Sequence, residues 1–251
     1  SVLLAVRLAE DPRVLTPVFV CQDGFITSHC YEPVELLDDA TVRSFVGERK
    51  AAYPLLDVDN PVSYGSFTMA EYYFEIKRNQ MEGMNNVLPV YEELAAELAK
   101  ETGRNYAPVE DYRADDADYV IVIMSSAAGV VKDVVDELRD EGVKAGMLRV
   151  RFFRPFPAEE FKRLARGKKG VAVLDRSASI GGTAPLAAEI KSVLYDLEER
   201  VPVQEYIFGL GGRDFFAADA RAVFERMMKN DYRAGARFIG LLERGGEDVR
   251  D

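Results

Sequence analysis

Residues 118–124, DYVIVIM, form a short strand-like run, and three more follow at 144–150 (KAGMLRV), 170–175 (GVAVLD) and 203–208 (VQEYIF). Helical spacing of apolar residues fills the intervals and the sequel, at 129–141, 158–166, 183–199 and 217–229. Strand-like and helical segments in regular alternation are the signature of an open, mostly parallel sheet with helices on both faces. This predicts the α/β class for the second half of the chain.

The first half is less regular. Residues 1–9 read as the end of a helix, with Val2, Leu3, Val6, Leu8 and Ala9 on one stripe, stopped by Asp11-Pro12. The apolar run Thr16–Cys21 (TPVFVC) predicts a strand buried on both faces of a parallel sheet, with a turn after it at Asp23-Gly24. From there to Gly65 the prolines at 33, 54 and 61 and several turn formers predict an irregular connection. Helical spacing returns between Met69 and Lys100, with Gly83 and Pro89 as interruptions, and a domain boundary is expected within this stretch. The polar tail ERGGEDVRD (243–251) is expected to fray. Ser1 leads straight into the helix-periodic VLLAVRLAE, with no methionine or signal-type cleavage site, so the chain is expected to begin within a fold, part of whose site lies upstream.

Composition narrows the function. The 251 residues carry 43 acidic against 32 basic side chains, a net charge of −11, and 48% of them are hydrophobic. That suits a globular chain with a sizeable core and argues against a nucleic-acid protein, which needs clustered Lys and Arg. One histidine (His29) and two cysteines (Cys21 and Cys30) cannot supply the four thiolates of an iron–sulfur cluster or a four-ligand Cys/His zinc site. Apolar runs are far shorter than the roughly 20 residues of a membrane span. A cytoplasmic location and no membrane partner are expected.

Several segments are candidate sites. After the strand at 118–124, Ser125-Ser126-Ala127-Ala128-Gly129 puts small residues and helix N–H groups where a phosphate can bind. No G-x-G-x-x-G accompanies it and the next strand ends in Arg149-Val150-Arg151, not an acidic residue, so tight strand-to-helix packing is favoured over a dinucleotide site. The Gly209–Asp214 run, with Gly211, Gly212 and Arg213, is either an anion nest or a turn that needs glycine. Arg149, Arg151 and Arg154 form a basic group at a strand end, either a ligand contact or, as preferred, an interface facing another subunit's carboxylates. Phe152, Phe153 and Phe156 beside them read as core or interface. Asp23, Ser28 and His29 in CQDGFITSHCYEP contain the side chains of a hydrolytic triad, but neighbouring Ser28 and His29 seldom face each other and G-x-S-x-G is absent; a buried histidine pinning a loop is preferred. Cys21 and Cys30 read as two structural thiols in preference to a redox pair.

Taken in order, VLTPVFVCQDGFITSH (14–29), EPV (32–34), MAEYYFE (69–75), LRVRFFRPFPAEEF (148–161), AVLDRS (172–177) and GLGGRD (209–214) are more specific than any one of them. Together they resemble the alpha subunit of 2-oxoacid:ferredoxin oxidoreductases, most closely the pyruvate-converting branch, over essentially the whole chain. The resemblance implies residues 1–66 as the C-terminal remnant of a pyrimidine-type thiamine-diphosphate domain, 67–104 as a linking helical segment and 105–251 as a transketolase C-terminal-like α/β domain. It implies CoA-dependent oxidative decarboxylation of a 2-oxoacid with ferredoxin reduction, or the reverse, by a multi-subunit complex with beta, gamma and delta subunits. Thiamine diphosphate with Mg and [4Fe-4S] clusters belong to that complex, and none is expected to be bound by this chain alone.

In the family, the groups that activate the cofactor and meet the substrate lie outside the matching stretch, and no Gly-Asp-Gly occurs in this chain. No catalytic residue is therefore expected here, and the isolated chain is expected to be inactive. Asp23, Ser28 and His29 remain candidates for a site-shaping loop. The alternative reading is a non-catalytic nucleotide- or anion-binding α/β module that shares the fold.

Overall fold

The computed structural model describes residues 1–242 and 248–249, so most of the 243–251 tail lies outside the described residues. The chain divides into two compact units, Ser1–Gln22 with His29–Ala107, and Asp23–Ser28 with the residues from Pro108 onward. In chain order the helices are α1 (Val2–Glu10), α2 (Ile26–His29), α3 (Asp39–Val46), α4 (Ala70–Asn85), α5 (Val87–Thr102), α6 (Ala128–Asp140), α7 (Ala158–Ala165), α8 (Pro185–Tyr195) and α9 (Ala217–Met228). The strands are β1 (Val109–Tyr112), β2 (Tyr119–Ile123), β3 (Ala145–Val150), β4 (Gly170–Asp175), β5 (Val203–Ile207), β6 (Ala236–Phe238), β7 (Leu241–Leu242) and β8 (Asp248–Val249).

The first unit is helical. Leu4 and Leu8, four apart on one face of α1, are buried in a small core with Phe45 of α3 and Val87, Val90, Tyr91, Leu94 and Leu98 of α5. Asp38 caps α3 by accepting from the Ala40 and Thr41 N–H groups, and Gly47 ends it at φ 71°. This helix lies inside the stretch expected to be irregular, where the prolines outweighed a single capping residue.

Three further expectations for this unit are corrected. TPVFVC forms no strand, and Phe19 is 91% exposed. A strand needs neighbours for its N–H and C=O groups, and the first unit contains none among the described residues. Gly83 does not interrupt α4; it admits the Val14 carbonyl so closely that a Cβ would stand 2.7 Å from that oxygen. Pro89 sits in the first turn of α5, where its missing N–H has no intrahelical partner to lose, and the break falls at Asn86.

The second unit is built on a six-stranded sheet in the order β1-β3-β2-β4-β5-β6, parallel except for β1. This matches the expected α/β class, and the four strands and four helices expected after residue 117 are present with ends shifted by up to four residues. Val120 and Val122 pack on one face with α7 and α8 through Phe161, Leu164, Leu186, Ala187 and Ile190. Ile121 and Ile123 pack on the other with α6 and α9 through Val131, Val134, Val135, Leu138, Val223 and Phe224. Two strands of this sheet were not expected from the sequence, the antiparallel edge strand β1 and the three-residue β6. A separate pair, β7 and β8, runs antiparallel, so Asp248–Val249 of the tail are paired.

Glycine is required where backbones meet at β3. A Cβ on Gly146 would lie 2.6 Å from Ala114 Cα and 2.7 Å from the Arg113 carbonyl oxygen, both main-chain atoms that cannot swing aside. Gly146→Ala is expected to destabilise the chain by roughly 1–3 kcal/mol, the range for overpacking. Gly129→Ala, on α6 with nothing within 4 Å, is expected to be neutral or stabilising by about 0.5–1 kcal/mol. Urea midpoints of the two variants check this, and equal destabilisation by both contradicts it.

Candidate functional site

The chain crosses from β2 through α6 to β3 on one side, then returns through α7 to β4 on the other side of β2. The carboxyl ends of β2 and β4 therefore flank the position where open α/β sheets place their ligands. Here the loops after β2 and β4 meet a carboxylate of the chain itself. Ser125 turns the backbone out of β2 at φ 63°, and the Ser126 N–H, just ahead of α6, donates to Asp23 Oδ2 at 2.7 Å. Arg176, next after β4, stands with Nη1 3.6 Å from Asp23 Oδ1. Burial raises the Asp23 pKa, but bonds from the Ser126 and Ser125 hydroxyls, the Ser126 N–H and the Arg176 charge outweigh it and hold the carboxyl below the ordinary aspartate range. Two segments weighed separately in the sequence, the Ser125–Gly129 anion candidate and Asp23, are one constellation.

The rest of that segment is a tight loop. The Phe25 N–H donates to Ser28 Oγ at 2.9 Å and the Ile26 N–H to the Gly24 carbonyl at 2.9 Å, with Phe25 itself at φ 68°. Ser28 thus closes the loop through the backbone. His29 ends α2 exposed and falls in the first unit, so the preferred reading of it as a buried pin is corrected. The loop has no apolar mass around it to bury an imidazole. Cys21 and Cys30 are exposed free thiols, and Cys30 Sγ lies 3.3 Å from Glu32 Oε1, a bond that pushes its pKa up.

Arg176 also faces the next loop. Its Nη2 is 3.5 Å from the Gly209 carbonyl and its guanidinium lies over the Phe208 ring at 5.9 Å. Gly209, Gly211 and Gly212 have φ of 65°, 66° and 83°, left-handed values that favour glycine, so this turn has a backbone reason for its composition. Arg213 donates to the Gly240 carbonyl.

The remaining basic candidates are held within the chain. Glu110 of β1 lies opposite Arg149 in the β1–β3 register, and its Oε2 is 3.3 Å from Arg149 Nη1 and 3.7 Å from Arg151 Nη2, while Lys132 of α6 binds Oε1. Burial raises the Glu110 pKa, but the Lys132 bond and the three positive charges lower it further. Arg154 pairs with Glu189 at 2.6 Å and lies over the Phe153 ring at 4.5 Å. Phe156 packs on the core ring of Phe161 at 5.9 Å between centroids. The carboxylates that meet these arginines come from β1 and α8 of the same chain.

Sequence reasoning passed over Arg176 and a pair of acids at the head of α8. Asp175 Oδ2 accepts from the Leu186 N–H at 2.8 Å; Glu205, 3% exposed, accepts from the Ala184 N–H at 2.8 Å and pairs with Lys191 Nζ at 2.9 Å. Burial and the nearby Glu205 charge raise the Asp175 pKa against the pull of its N–H donors. The signal was present in AVLDRS, a charged pair at the end of a buried strand.

No cluster of three metal-ligating side chains occurs among the described residues, and no helix among them is long and apolar enough to cross a membrane. The buried residues of the first unit are all apolar or aromatic, so none of its carboxylates is placed to activate a thiamine aminopyrimidine from a buried position. The residues present do not by themselves fit that cofactor or a four-thiolate cluster.

A raised pKa fixes the sign of one pH dependence. The contribution of Asp175 to stability is fully present below its unfolded value of 3.8 and is lost as pH rises through the higher folded value. Asp175→Asn keeps an oxygen for the Leu186 N–H without the charge, so its melting temperature relative to wild type is expected to be higher near pH 7 than near pH 3. Thermal melts at both values check this, and a difference equal at both contradicts it.

Residues 1–96 match the family model for the thiamine-diphosphate-binding part of pyruvate flavodoxin/ferredoxin oxidoreductase, and residues 117–220 match that for pyruvate:ferredoxin oxidoreductase core domain II. Pyruvate synthase subunit PorA of Thermotoga maritima is 47% identical over 242 residues, covering 96% of this chain and 62% of its own length. The PorA subunit of Methanothermobacter thermautotrophicus is 40% identical over 243 residues, covering 97% and 62%. Ketoisovalerate oxidoreductase subunit VorA of Pyrococcus horikoshii is 38% identical over 230 residues, covering 91% and 58%. The chain thus spans about three-fifths of the length of these relatives. With both family models matched in order along one chain, it belongs to the 2-oxoacid:ferredoxin oxidoreductase family, as a stretch of the alpha-subunit type.

Proposed function

We propose that this chain serves as the C-terminal part of the alpha subunit of a pyruvate:ferredoxin oxidoreductase. The reaction is CoA-dependent oxidative decarboxylation of pyruvate to acetyl-CoA and CO2, with two electrons passed singly to ferredoxin, or its reverse. The observation that carries this reading is the 47% identity to a pyruvate synthase subunit across 96% of the chain. When bound in the complex, thiamine diphosphate with Mg supplies the decarboxylation and [4Fe-4S] clusters the electron path; their holders are other subunits and the remainder of the alpha chain. The partners are beta, gamma and delta subunits, with ferredoxin and coenzyme A at the level of the complex, in the cytoplasm.

Within that assembly this chain supplies architecture. We assign residues 1–66 to the thiamine domain, 67–104 to a helical link and 105–251 to the transketolase C-terminal-like domain, a division supported by the sheet's start at Val109. The exposed Phe19, in an apolar run without strand partners, supports a role for 14–21 in completing a sheet of the thiamine domain. Asp23, Ser28 and His29 belong to a loop that shapes the site. Against the alternative anion-binding module stands the occupation of the Ser125–Ser126 turn by Asp23.

The complete complex is assayed with pyruvate, 2-oxoglutarate, branched-chain 2-oxoacids and oxalate, using a low-potential dye as electron acceptor. CoA-dependent reduction fastest with pyruvate is the expected result. Equal rates with all the acids overturn the pyruvate assignment, and no reduction with any of them overturns the family activity for this chain.

A further inference from the structure

We infer that Asp23 is a positioning residue, an internal carboxylate seated in the turn between β2 and α6 that sets the conformation of the Asp23–Ser28 loop for the site proposed above. The inference rests on that functional reading only for its effect on turnover; the anchor itself stands on geometry.

Three residues converge on one carboxylate from two loops of the sheet. The Ser126 N–H reaches Oδ2 at 2.7 Å, the Ser125 and Ser126 hydroxyls add to it, and the Arg176 guanidinium stands 3.6 Å from Oδ1. The Asp23 side chain is only 13% exposed, while the loop it begins buries almost nothing, with Phe25 74% and Ile26 52% exposed. Apolar burial therefore does not hold this loop in place. Phe25 is at a left-handed φ that a non-glycine residue adopts only under constraint, and its N–H is tied to Ser28 Oγ. Thr27 Oγ1 donates to the Asp23 carbonyl, so the loop's own bonds lead back to the anchoring residue. Asp23 and Ser126 are 103 positions apart, which makes the contact a tertiary tie. Charge-assisted bonds of this kind are the strong ones, and removing the carboxylate leaves an N–H and a cation facing an empty cradle. A small carboxylate from solution has the charge and size to refill it.

The test uses the complete complex with alpha-subunit variants Asp23→Ala, Asp23→Asn and Arg176→Gln. Amide hydrogen exchange across 23–28 is expected to quicken by about tenfold or more in Asp23→Ala, in line with loss of a charged hydrogen bond. Exchange in β2 and β4 is expected to stay as in wild type, with Asp23→Asn and Arg176→Gln intermediate. Acetate at high concentration is expected to slow loop exchange again in Asp23→Ala and to leave wild type unchanged. KM for the 2-oxoacid is expected to rise more than kcat falls. Wild-type loop exchange in Asp23→Ala overturns the anchor, as does protection lost equally through the whole sheet in both Asp23 variants. A kcat loss with KM unchanged and no acetate effect overturns the positioning role. If no 2-oxoacid is turned over by the wild-type complex, the functional reading fails while the exchange results still decide the anchor.

Discussion

The six-stranded sheet of the second unit is organised around the burial of β2 on both faces and both edges. Tyr119–Ile123 pairs with β3 on one side and β4 on the other, so its N–H and C=O groups are satisfied laterally while its side chains alternate between two cores. A strand so placed must be covered twice, and α6 with α9 on one face and α7 with α8 on the other do this. The same constraint brings the loops after β2, β4 and β5 to one end of the sheet. Ser126, Arg176 and Gly209 come together there because the strands before them are adjacent, although the sequence separates them widely.

Polar groups are used sparingly, as ties. Glu205 is buried with an N–H and an ammonium as partners; Gln204 accepts from the Arg233 N–H and donates to the Gly235 carbonyl; Lys168 donates to the carbonyls of Ala114 and Asp115. Glu205 and Gln204 fix loops to β5, Lys168 ties the loop before β4 to the one after β1, and each would be costly to leave half-paired. The arginines at the end of β3 follow the same logic, since Glu110 and Glu189 pair with them from within the chain.

Strands and helices whose burial is local to the segment were legible. DYVIVIM, GVAVLD and the helix with Val131, Val134, Val135 and Leu138 carry their periodicity in adjacent residues. β1, VEDY, was not legible, because an edge strand bears charges on its open side and Glu110 is there to meet Lys132 and two arginines. TPVFVC shows the reverse error, an apolar, β-branched run that predicts a strand but has no ladder to join. The Asp23 anchor was half legible. Both ends were singled out, but a bond spanning 103 positions leaves no local pattern that joins them.

The second unit has its own six-stranded sheet and two apolar cores, whereas the apolar run at 14–21 has no strand partner among the described residues; under the proposed function the assembled enzyme supplies one. Amide hydrogen exchange on the 251-residue chain alone and within the complex tests this most directly. In the isolated chain β2, β3 and β4 are predicted to be the most protected segments and residues 16–21 to exchange nearly unprotected, becoming protected only in the complex. Strong protection of 16–21 in the isolated chain, or none gained on assembly, would contradict the account.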